Sequence, residues 1–364
     1  MMNSAGVYVH VPYCRGKCAY CSFISTVNGA TQKQYVDALR AEIHNCPYNA
    51  EIRTVYFGGG TPSCLYRGAI GEITSEIRKK FCVDADAEFT VEANPESATS
   101  EFFDECIDAG VNRLSIGLQC ADDEVLKKAG RLHTTAGFIS AVESARIAGF
   151  GNISADLIIG LEGETRSEIE KSLSLLASLD VNHISVYSLS VEKGSFMFSR
   201  PYRPNEDKMA DDYTFTSAFL KKEGFNRYEI SNFAKKGFES RHNLGYWLHK
   251  PYLGFGPSAH SFFGGKRFSD TENLAAYLKG VTCIATEEIT REQLKEEYIM
   301  LRLRLERGID LCEYENLFGE KIQEIKKREI NRLTAAGVVA QENGRLFATE
   351  KGIYVLNYII TELI

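Results

Sequence analysis

The chain has 364 residues, of which 44% are hydrophobic and 25% are charged, and its formal net charge is −7. This composition allows a sizeable core and suits one large domain with a smaller one. The negative charge argues against nucleic acid as a partner, because binding phosphates requires clustered Lys and Arg. The N-terminus has no signal-peptide pattern and no apolar run is long enough to span a bilayer, so we expect a cytoplasmic protein.

Six β-rich runs alternate with amphipathic helical stretches in the first half of the chain. This alternation predicts a parallel sheet, and six such units with polar residues at the strand ends favour a partial barrel. In such barrels the active site lies at the C-terminal ends of the strands, and Glu92, Gln119 and Asp156 fall at or near those ends. The predicted strands are 6–11, 54–57, 88–92, 113–119, 153–159 and 183–189, and the first two predicted helices are 31–45 and 65–81.

The second half has a looser pattern. A predicted helix at 205–224 precedes a polar and aromatic stretch at 227–268. Beyond about residue 290, glycine-separated helices and a short hairpin at 338–348 predict a small winged-helix-like domain. The predicted helices of that domain are 291–304, 310–318, 321–336 and 350–364. The predicted division of the chain is a barrel over 1–200, a barrel-completing segment over 201–285 and the winged-helix-like domain over 286–364.

Three of the ten cysteines lie close together after the first predicted strand. Cys14, Cys18 and Cys21 lie four and then three positions apart. Thiolates bind zinc or an iron–sulfur cluster, but a structural zinc site normally takes four protein ligands. Three ligands on a cubane leave one iron open to a substrate or cofactor. His10, a fourth zinc ligand in principle, lies in the strand rather than in the loop, and the other seven cysteines are best interpreted as small buried hydrophobic residues.

This segment resembles the CxxxCxxC signature of the radical SAM superfamily, which follows the first strand of a partial (β/α) barrel. The resemblance implies a [4Fe–4S] cluster on Cys14, Cys18 and Cys21, whose open iron binds the amino and carboxyl groups of S-adenosylmethionine. In that family, reduction of the cluster cleaves the sulfonium and yields a 5′-deoxyadenosyl radical, while the protein excludes water and oxygen. Tyr20 matches the family's usual adenine-contacting position.

Three glycines at 58–60 end the second predicted strand, and Thr61 and Pro62 follow them. Glycine lets the backbone approach a ligand closely, so that its N–H groups can meet a carboxylate or an amine. The segment is not a phosphate loop, since no Gly-Lys-Ser/Thr follows it. A tight turn is the alternative interpretation. After the cysteine motif, the segment resembles the family's glycine-rich motif, which holds the methionine amino group.

Four further segments resemble the HemN-like branch of the superfamily, which is named after coproporphyrinogen III dehydrogenase. They are residues 91–96, 115–119, 130–133 and 156–161. For each charged residue taken alone, a salt bridge between barrel loops is the alternative interpretation. The S-adenosylmethionine contacts implied by the resemblance are Tyr8, Gly59, Gly60, Thr61, Glu92, Gln119, Arg131 and Asp156.

Two departures separate the chain from the porphyrinogen-oxidising enzymes of that branch. Phe23 stands where those enzymes carry a further cysteine, and the first strand begins by Gly6 without their longer N-terminal extension. Both departures argue against oxidative decarboxylation of coproporphyrinogen. They fit the HemW type of the same branch, a heme-binding chaperone, which the segments 227–233, 241–247 and 252–261 also resemble.

Residues 242–247 match the HNxxYW segment that the HemW type uses for heme. His242 is the predicted heme ligand, and His260 is the alternative, because histidine is a common axial ligand of heme iron. Tyr246 and Trp247 offer flat apolar faces with polar tips for a porphyrin edge. A second interpretation is that the segment only packs the open side of the barrel, since the oxidase branch has related sequence here.

The resemblance therefore implies a heme chaperone that binds a [4Fe–4S] cluster, S-adenosylmethionine and heme, and that passes heme to an acceptor protein. One alternative is a radical enzyme that decarboxylates or modifies a tetrapyrrole, and another is a structural iron–sulfur protein. The expected partners are heme, an unidentified acceptor and, peripherally, membrane respiratory proteins. Monomer and dimer both stay open, as does the question of enzymatic activity.

Overall fold

The structure, a computed structural model, describes residues 4–364. Six parallel strands that alternate with helices form its centre, which confirms the predicted partial (β/α)6 barrel of the radical SAM type. The strands are β1 Ser4–Val11, β2 Glu51–Gly59, β3 Cys82–Ala93, β4 Arg113–Gln119, β5 Ile153–Ile159 and β6 His183–Ser188. The helices are α1 Gln32–Asn45, α2 Ala69–Lys80, α3 Ser100–Asp108, α4 Asp123–Lys128, α5 Thr135–Ile147, α6 Arg166–Ser178 and α7 Glu206–Lys222.

The barrel strands have an apolar outer face and a polar inner face, because successive side chains of a strand point to opposite sides. In β1, Val7 and Val9 are fully buried in the main core that the helices share, in which Leu39 of α1 is also fully buried. Burial of a side chain of this size contributes about 1.5–3 kcal/mol. Tyr8 of β1 and Tyr56 of β2 occupy the inner face, where their rings stack with centroids 6.3 Å apart. The interior is therefore available for polar chemistry.

Further strands extend the sheet on both sides of β1–β6. The strand that starts at Tyr252 pairs in parallel with β1, and a short strand at 232–234 pairs antiparallel with β6. These additions are β7 Asn226–Arg227, β8 Asn232–Ala234, β9 Tyr252–Phe255, β10 His260–Phe263, β11 Lys266–Ser269 and β12 Ala285–Glu288, with helices α8 Arg241–Trp247 and α9 Leu274–Tyr277. The sheet order is β12-β11-β10-β9-β1-β2-β3-β4-β5-β6-β8-β7.

The C-terminal part combines helices with a three-stranded antiparallel sheet, as the winged-helix-like prediction requires. It has a second hydrophobic core, in which Tyr314, Ile322 and Leu346 are fully buried. Its elements are α10 Arg291–Arg302, β13 Ile309–Asp310, α11 Leu311–Phe318, α12 Ile322–Ile325, α13 Lys327–Ala335, β14 Val339–Glu342, β15 Arg345–Ala348 and α14 Leu356–Leu363. The residue boundaries of the three predicted segments stay a prediction.

Two predicted C-terminal helices are wrong in their extent. The helix predicted at 321–336 is divided at Lys326, whose backbone (φ −112°, ψ 27°) is not helical. The last helix begins only at Leu356, because a 3-10 turn over Gly352–Val355 precedes it. Across residues 4–364, no helix is both long enough and apolar enough to cross a membrane.

Candidate functional site

A cavity of about 340 Å³ lies at the C-terminal ends of the barrel strands. We call it the cysteine cavity, since Cys14, Cys18 and Cys21 all line it. Phe23 also lines it, with 64% of its surface exposed. The other predicted residues in its lining are Tyr20, Gly59, Gly60, Thr61, Glu92, Gln119, Arg131 and Asp156. Of the residues predicted to contact the cluster or S-adenosylmethionine, Tyr8 alone is missing from this lining.

Backbone hydrogen bonds hold the cysteine loop in place. The N–H of Cys14 donates to the carbonyl of Thr26 at 3.0 Å, and the N–H of Ala19 donates to that of Ala129 at 2.8 Å. The three cysteines are free thiols, and burial raises the pKa of the Cys21 thiol. Within residues 4–364, no three His, Cys, Asp or Glu side chains converge as a site for a single metal ion. The thiols instead line one cavity from a single loop.

A chain of hydrogen bonds joins two of the cysteines across the cavity. The Arg131 guanidinium donates to Cys18 Sγ at 3.5 Å and to Asn94 Oδ1 at 2.6 Å. Asn94 Nδ2 donates to Thr61 Oγ1 at 2.9 Å, and the Thr61 hydroxyl lies 3.4 Å from Cys14 Sγ. Hydrogen-bond donors and a cation thus lie beside the sulfur atoms, which are the atoms that bind iron in iron–sulfur proteins. Asn94 was missed as a site residue, although it lies in the 91–96 segment that carries the resemblance.

The glycine segment packs against the cysteine loop. A Cβ on Gly59 would lie 2.5 Å from the His10 ring, and one on Gly60 would lie 2.6 Å from the carbonyl oxygens of Val11 and Tyr13. The N–H of Gly60 donates to Val11 O and that of Thr61 donates to Tyr13 O, both at 2.7 Å. The N–H groups of Gly60 and Thr61 therefore hold the loop, and contact of the glycine segment with a ligand stays a prediction.

Two buried carboxyl groups line the floor of the cysteine cavity. Burial raises the pKa of Glu92 to about 7, although a hydrogen bond from the Tyr56 hydroxyl at 2.7 Å opposes the shift. Burial also raises the pKa of Asp156, which accepts a hydrogen bond from Ser115 at 3.2 Å. Asp156 lies in the middle of β5 rather than at its end.

Across residues 4–364, Glu92, Asp156 and Arg131 do not form the salt bridges of the alternative interpretation, whereas Glu96 lies 3.7 Å from His133 between two of the loops. Glu92, Asp156 and Arg131 have no ion pair within 4.0 Å among the described residues. Buried ionisable groups with shifted pKa values and no ion-pair partner are typical of ligand sites. Gln119 is a neutral predicted contact of S-adenosylmethionine in the same cavity. Its φ of 68° places it in the left-handed region at the end of β4. Such a backbone costs roughly 1–3 kcal/mol and is often found at functional sites.

Tyr8 lies inside the barrel and outside the lining of the cysteine cavity. It pairs with Tyr56 in the strand register, and its hydroxyl is 3.1 Å from His10 Nδ1. Its contact with S-adenosylmethionine stays a prediction.

His242 lies at the opposite, N-terminal end of the barrel. Its Nδ1 is 2.8 Å from the Thr54 hydroxyl, and its Nε2 is 2.9 Å from the Tyr246 hydroxyl. Glu88 of β3 accepts the N–H of His242 at 2.9 Å and so holds the start of α8 against the barrel. Burial, and secondarily the positive charge of Arg113, lower the pKa of His242 to about 3. The imidazole is therefore neutral at physiological pH.

His242 and Tyr246 line a second cavity of about 380 Å³, which we call the His242 cavity. Its lining also includes Gly6 of β1 and Thr54 of β2, which lie near the N-terminal ends of their strands. The two cavities thus lie at opposite ends of the barrel. The Tyr56 ring lies between them, because it stacks on the imidazole of His242 at 5.1 Å while its hydroxyl bonds Glu92.

Comparison with known proteins identifies the family to which the chain belongs. The Radical SAM superfamily matches residues 8–176, and the HemN C-terminal domain matches residues 289–355. The heme chaperone HemW of Bacillus subtilis (strain 168) is 34% identical, and the match covers 96% of both chains. The chain belongs to the HemW family. The heme chaperone HemW of Lactococcus lactis is 33% identical over 100% of this chain and 97% of that protein. This HemW-family chain also shares its fold with coproporphyrinogen III oxidase (HemN) from Escherichia coli, with a TM-score of 0.88 at 24% identity over 100% of this chain and 90% of that one.

Membership of the radical SAM superfamily implies a [4Fe–4S] cluster and S-adenosylmethionine. The cysteine cavity of this HemW-family chain fits both groups. Three thiols from one loop suit an iron–sulfur cluster, and hydrogen-bond donors lie beside the sulfur atoms of Cys14 and Cys18. The unpaired carboxyl groups of Glu92 and Asp156 offer acceptors to hydroxyl or amino groups of the cofactor.

Proposed function

We propose that this protein is a heme chaperone that holds a [4Fe–4S] cluster and S-adenosylmethionine in the cysteine cavity, binds heme in the His242 cavity and passes it to an acceptor protein. One observation carries the proposal. The barrel has two separate cavities at opposite ends, and no thiol is among the residues that line the His242 cavity. Its relatives in Bacillus subtilis and Lactococcus lactis are named heme chaperones. Two sites permit a cofactor and a cargo to be held at the same time.

In the cysteine cavity, Cys14, Cys18 and Cys21 would hold the cluster. When bound, the cluster supplies an open iron that chelates the amino and carboxyl groups of S-adenosylmethionine and an electron for cleavage of its sulfonium. Arg131 donates a hydrogen bond to Cys18 Sγ at 3.5 Å and would orient that ligand. Tyr20 lines the cavity, and burial raises its pKa, so that its hydroxyl stays protonated.

The polar residues of the cysteine cavity would orient S-adenosylmethionine. Glu92, Gln119 and Asp156 supply acceptor oxygens. Gly59 and Gly60 would bring the backbone close to the cofactor. The N–H of Gly60 already donates to Val11 O, so the carbonyl oxygens of this segment are the groups that would accept hydrogen bonds from an amino group. Thr61 fixes the segment through its hydroxyl.

In the His242 cavity, the imidazole is the proposed heme ligand. Its low pKa keeps the imidazole neutral at neutral pH, with one ring nitrogen free of a proton, which is the form that binds iron. Because Tyr246 occupies Nε2, the hydroxyl has to move before that nitrogen can reach iron. His260, the alternative ligand, is exposed at the start of β10. The peripheral association of this protein with membrane respiratory proteins and its oligomeric state stay predictions.

Heme titration of anaerobically reconstituted protein tests the ligand. His242→Ala is expected to lose the Soret band of the bound heme, whereas His44→Ala, which changes an exposed histidine of α1, is expected to keep it. If His260→Ala loses the band and His242→Ala keeps it, the ligand is His260 and the proposed site is wrong.

The same preparation tests the reaction class. Incubation with coproporphyrinogen III is expected to yield no protoporphyrinogen. Appearance of that product would refute the chaperone and establish a radical enzyme. Iron content after reconstitution is the control for the cluster, since Cys21→Ser is expected to lose iron and Cys46→Ser, in the buried core, is expected to retain it.

A further inference from the structure

The His242 cavity has an unusual charge for this protein. Its lining contains the cations Arg53, Arg241 and Lys250 and no Asp or Glu, although the chain has a net charge of −7. A cavity lined by one sign of charge attracts ligands of the opposite sign. The chemistry of the lining therefore indicates an anionic ligand.

Two of the three cations have no carboxylate partner among the described residues. Arg53 is neutralised by Glu51 at 2.9 Å and by Asp84. Arg241 donates instead to a backbone carbonyl, that of Asp86, at 2.6 Å, and Lys250 forms no ion pair within 4.0 Å. The uncompensated charge of the cavity thus comes from Arg241 at the start of α8 and Lys250 just beyond its end.

The His242 cavity adjoins a second space of about 460 Å³, and Tyr246, Lys250 and Tyr252 line both. The second space is bounded by Phe262 and, from α10, by Met300, and its lining also holds the Arg267–Glu297 ion pair at 2.8 Å. Apolar and aromatic walls suit a flat ring system, and their position beside Lys250 suits a ring that carries acidic groups. The combined space is a crevice between the barrel and the C-terminal helix α10.

We propose that Arg241 and Lys250 recognise the two propionate carboxylates of heme, while the macrocycle lies along Tyr246 and Tyr252. This inference rests on the proposed function, since it takes heme as the ligand of the His242 cavity. It adds the chemistry by which the cavity selects an acidic porphyrin. Charge-assisted hydrogen bonds from Arg or Lys to carboxylate are stronger than neutral ones, and each 1.4 kcal/mol corresponds to about a tenfold change in affinity.

Heme and its dimethyl ester, delivered from the same detergent stock, are the probes that test this recognition. The ester keeps the iron and the macrocycle but lacks both negative charges. Wild-type protein is expected to bind heme about 100-fold more tightly than the ester, since two charge-assisted contacts are lost at about tenfold each. Arg241→Gln and Lys250→Gln are each expected to reduce this preference about tenfold and to leave ester binding unchanged.

Matched variants separate recognition from folding. Lys250→Arg and Arg241→Lys keep the charge and are expected to restore the preference for heme, even if Arg241→Gln loosens its contact with Asp86. Lys266→Gln, on β11 and paired with Glu288 at 3.0 Å outside both spaces, is expected to behave as wild type. The preference is also expected to fall as salt is raised.

Three outcomes overturn the inference, and they differ in what else they overturn. If wild-type protein binds heme and the ester equally, propionate recognition is wrong and the heme chaperone survives. If the preference exists but both charge-removing variants keep it, the residues are wrong. If wild-type protein binds neither compound, the proposed heme function fails along with the inference.

Discussion

Replacement of Glu92 by Gln tests whether the cysteine cavity is built at the expense of stability. Burial raises the pKa of this carboxyl from 4.5 to about 7. The folded state therefore binds the proton more tightly than the unfolded state does. The stabilisation from this proton is complete below pH 4.5 and is lost as the pH rises through about 7. A shift of this size corresponds to about 3 kcal/mol, at about 1.4 kcal/mol for each pH unit.

Gln has nearly the same shape as Glu, carries no charge and can still accept the hydrogen bond from Tyr56. At pH 5 the wild-type protein has lost only a small part of this stabilisation, so we expect Glu92→Gln to be more stable by less than about 1 kcal/mol. At pH 8, where the folded wild-type protein must hold a buried carboxylate, we expect the variant to be more stable by up to about 3 kcal/mol. Urea unfolding of the cluster-free protein, without S-adenosylmethionine, measures the difference at both pH values, so that ligand binding does not shift it.

The comparison with wild-type protein isolates Glu92 from the other buried glutamates. Burial also raises the pKa of Glu164 and Glu229 to about 7, but these groups are common to both proteins and cancel in the difference. Glu272→Gln, at an exposed position, is the matched control and is expected to leave the profile unchanged. A variant that is less stable than wild-type protein at pH 8, or a difference that is the same at pH 5 and 8, would refute the reasoning. Binding of S-adenosylmethionine is expected to weaken in Glu92→Gln.

Two further substitutions probe the groups around that carboxyl. Tyr56→Phe removes the hydrogen bond that opposes the raised pKa of Glu92. The pH profile of S-adenosylmethionine binding is therefore expected to move up by about one to two pH units. An unmoved profile would contradict the role of the Tyr56 hydroxyl. Gly60→Ala places a Cβ 2.6 Å from two backbone carbonyls, and we expect loss of iron after reconstitution. Gly71→Ala, where a Cβ meets nothing within 4 Å, is the control, and equal iron in the two variants would show that the close approach is unimportant.

The sequence alone predicted the barrel strands best where an apolar run is bounded by turns. Strands β4 and β5 have the predicted ends, Arg113–Gln119 and Ile153–Ile159. The predicted helix at 65–81 starts only at Ala69, because Gly68 before it has φ 97° and residues 62–64 form a 3-10 turn. Strand β3 begins at Cys82, six residues early, because its first part pairs with β2 despite its charged sequence. A glycine in the left-handed region decided the first difference, and pairing between strands, which local pattern does not contain, decided the second.

The residues of the cysteine cavity were predictable because they follow strand ends, and parallel strands bring those ends together. His242 was predicted as a ligand, but its position at the N-terminal end of the barrel was not predicted. That position depends on the hydrogen bond to Glu88, which lies more than 150 residues earlier in the chain. Tyr56 and Asn94 were missed for a similar reason. Their roles arise from contacts with Glu92 and Arg131 across 36 and 37 residues, and neither residue type signals them.

Titration of heme into reconstituted wild-type protein, followed at the Soret band, tests the central claim most directly. The account predicts saturable binding of one heme per chain, with the cluster retained and no conversion of coproporphyrinogen by the same sample. Heme that binds without saturation, or not at all, while the cluster is intact would contradict the account.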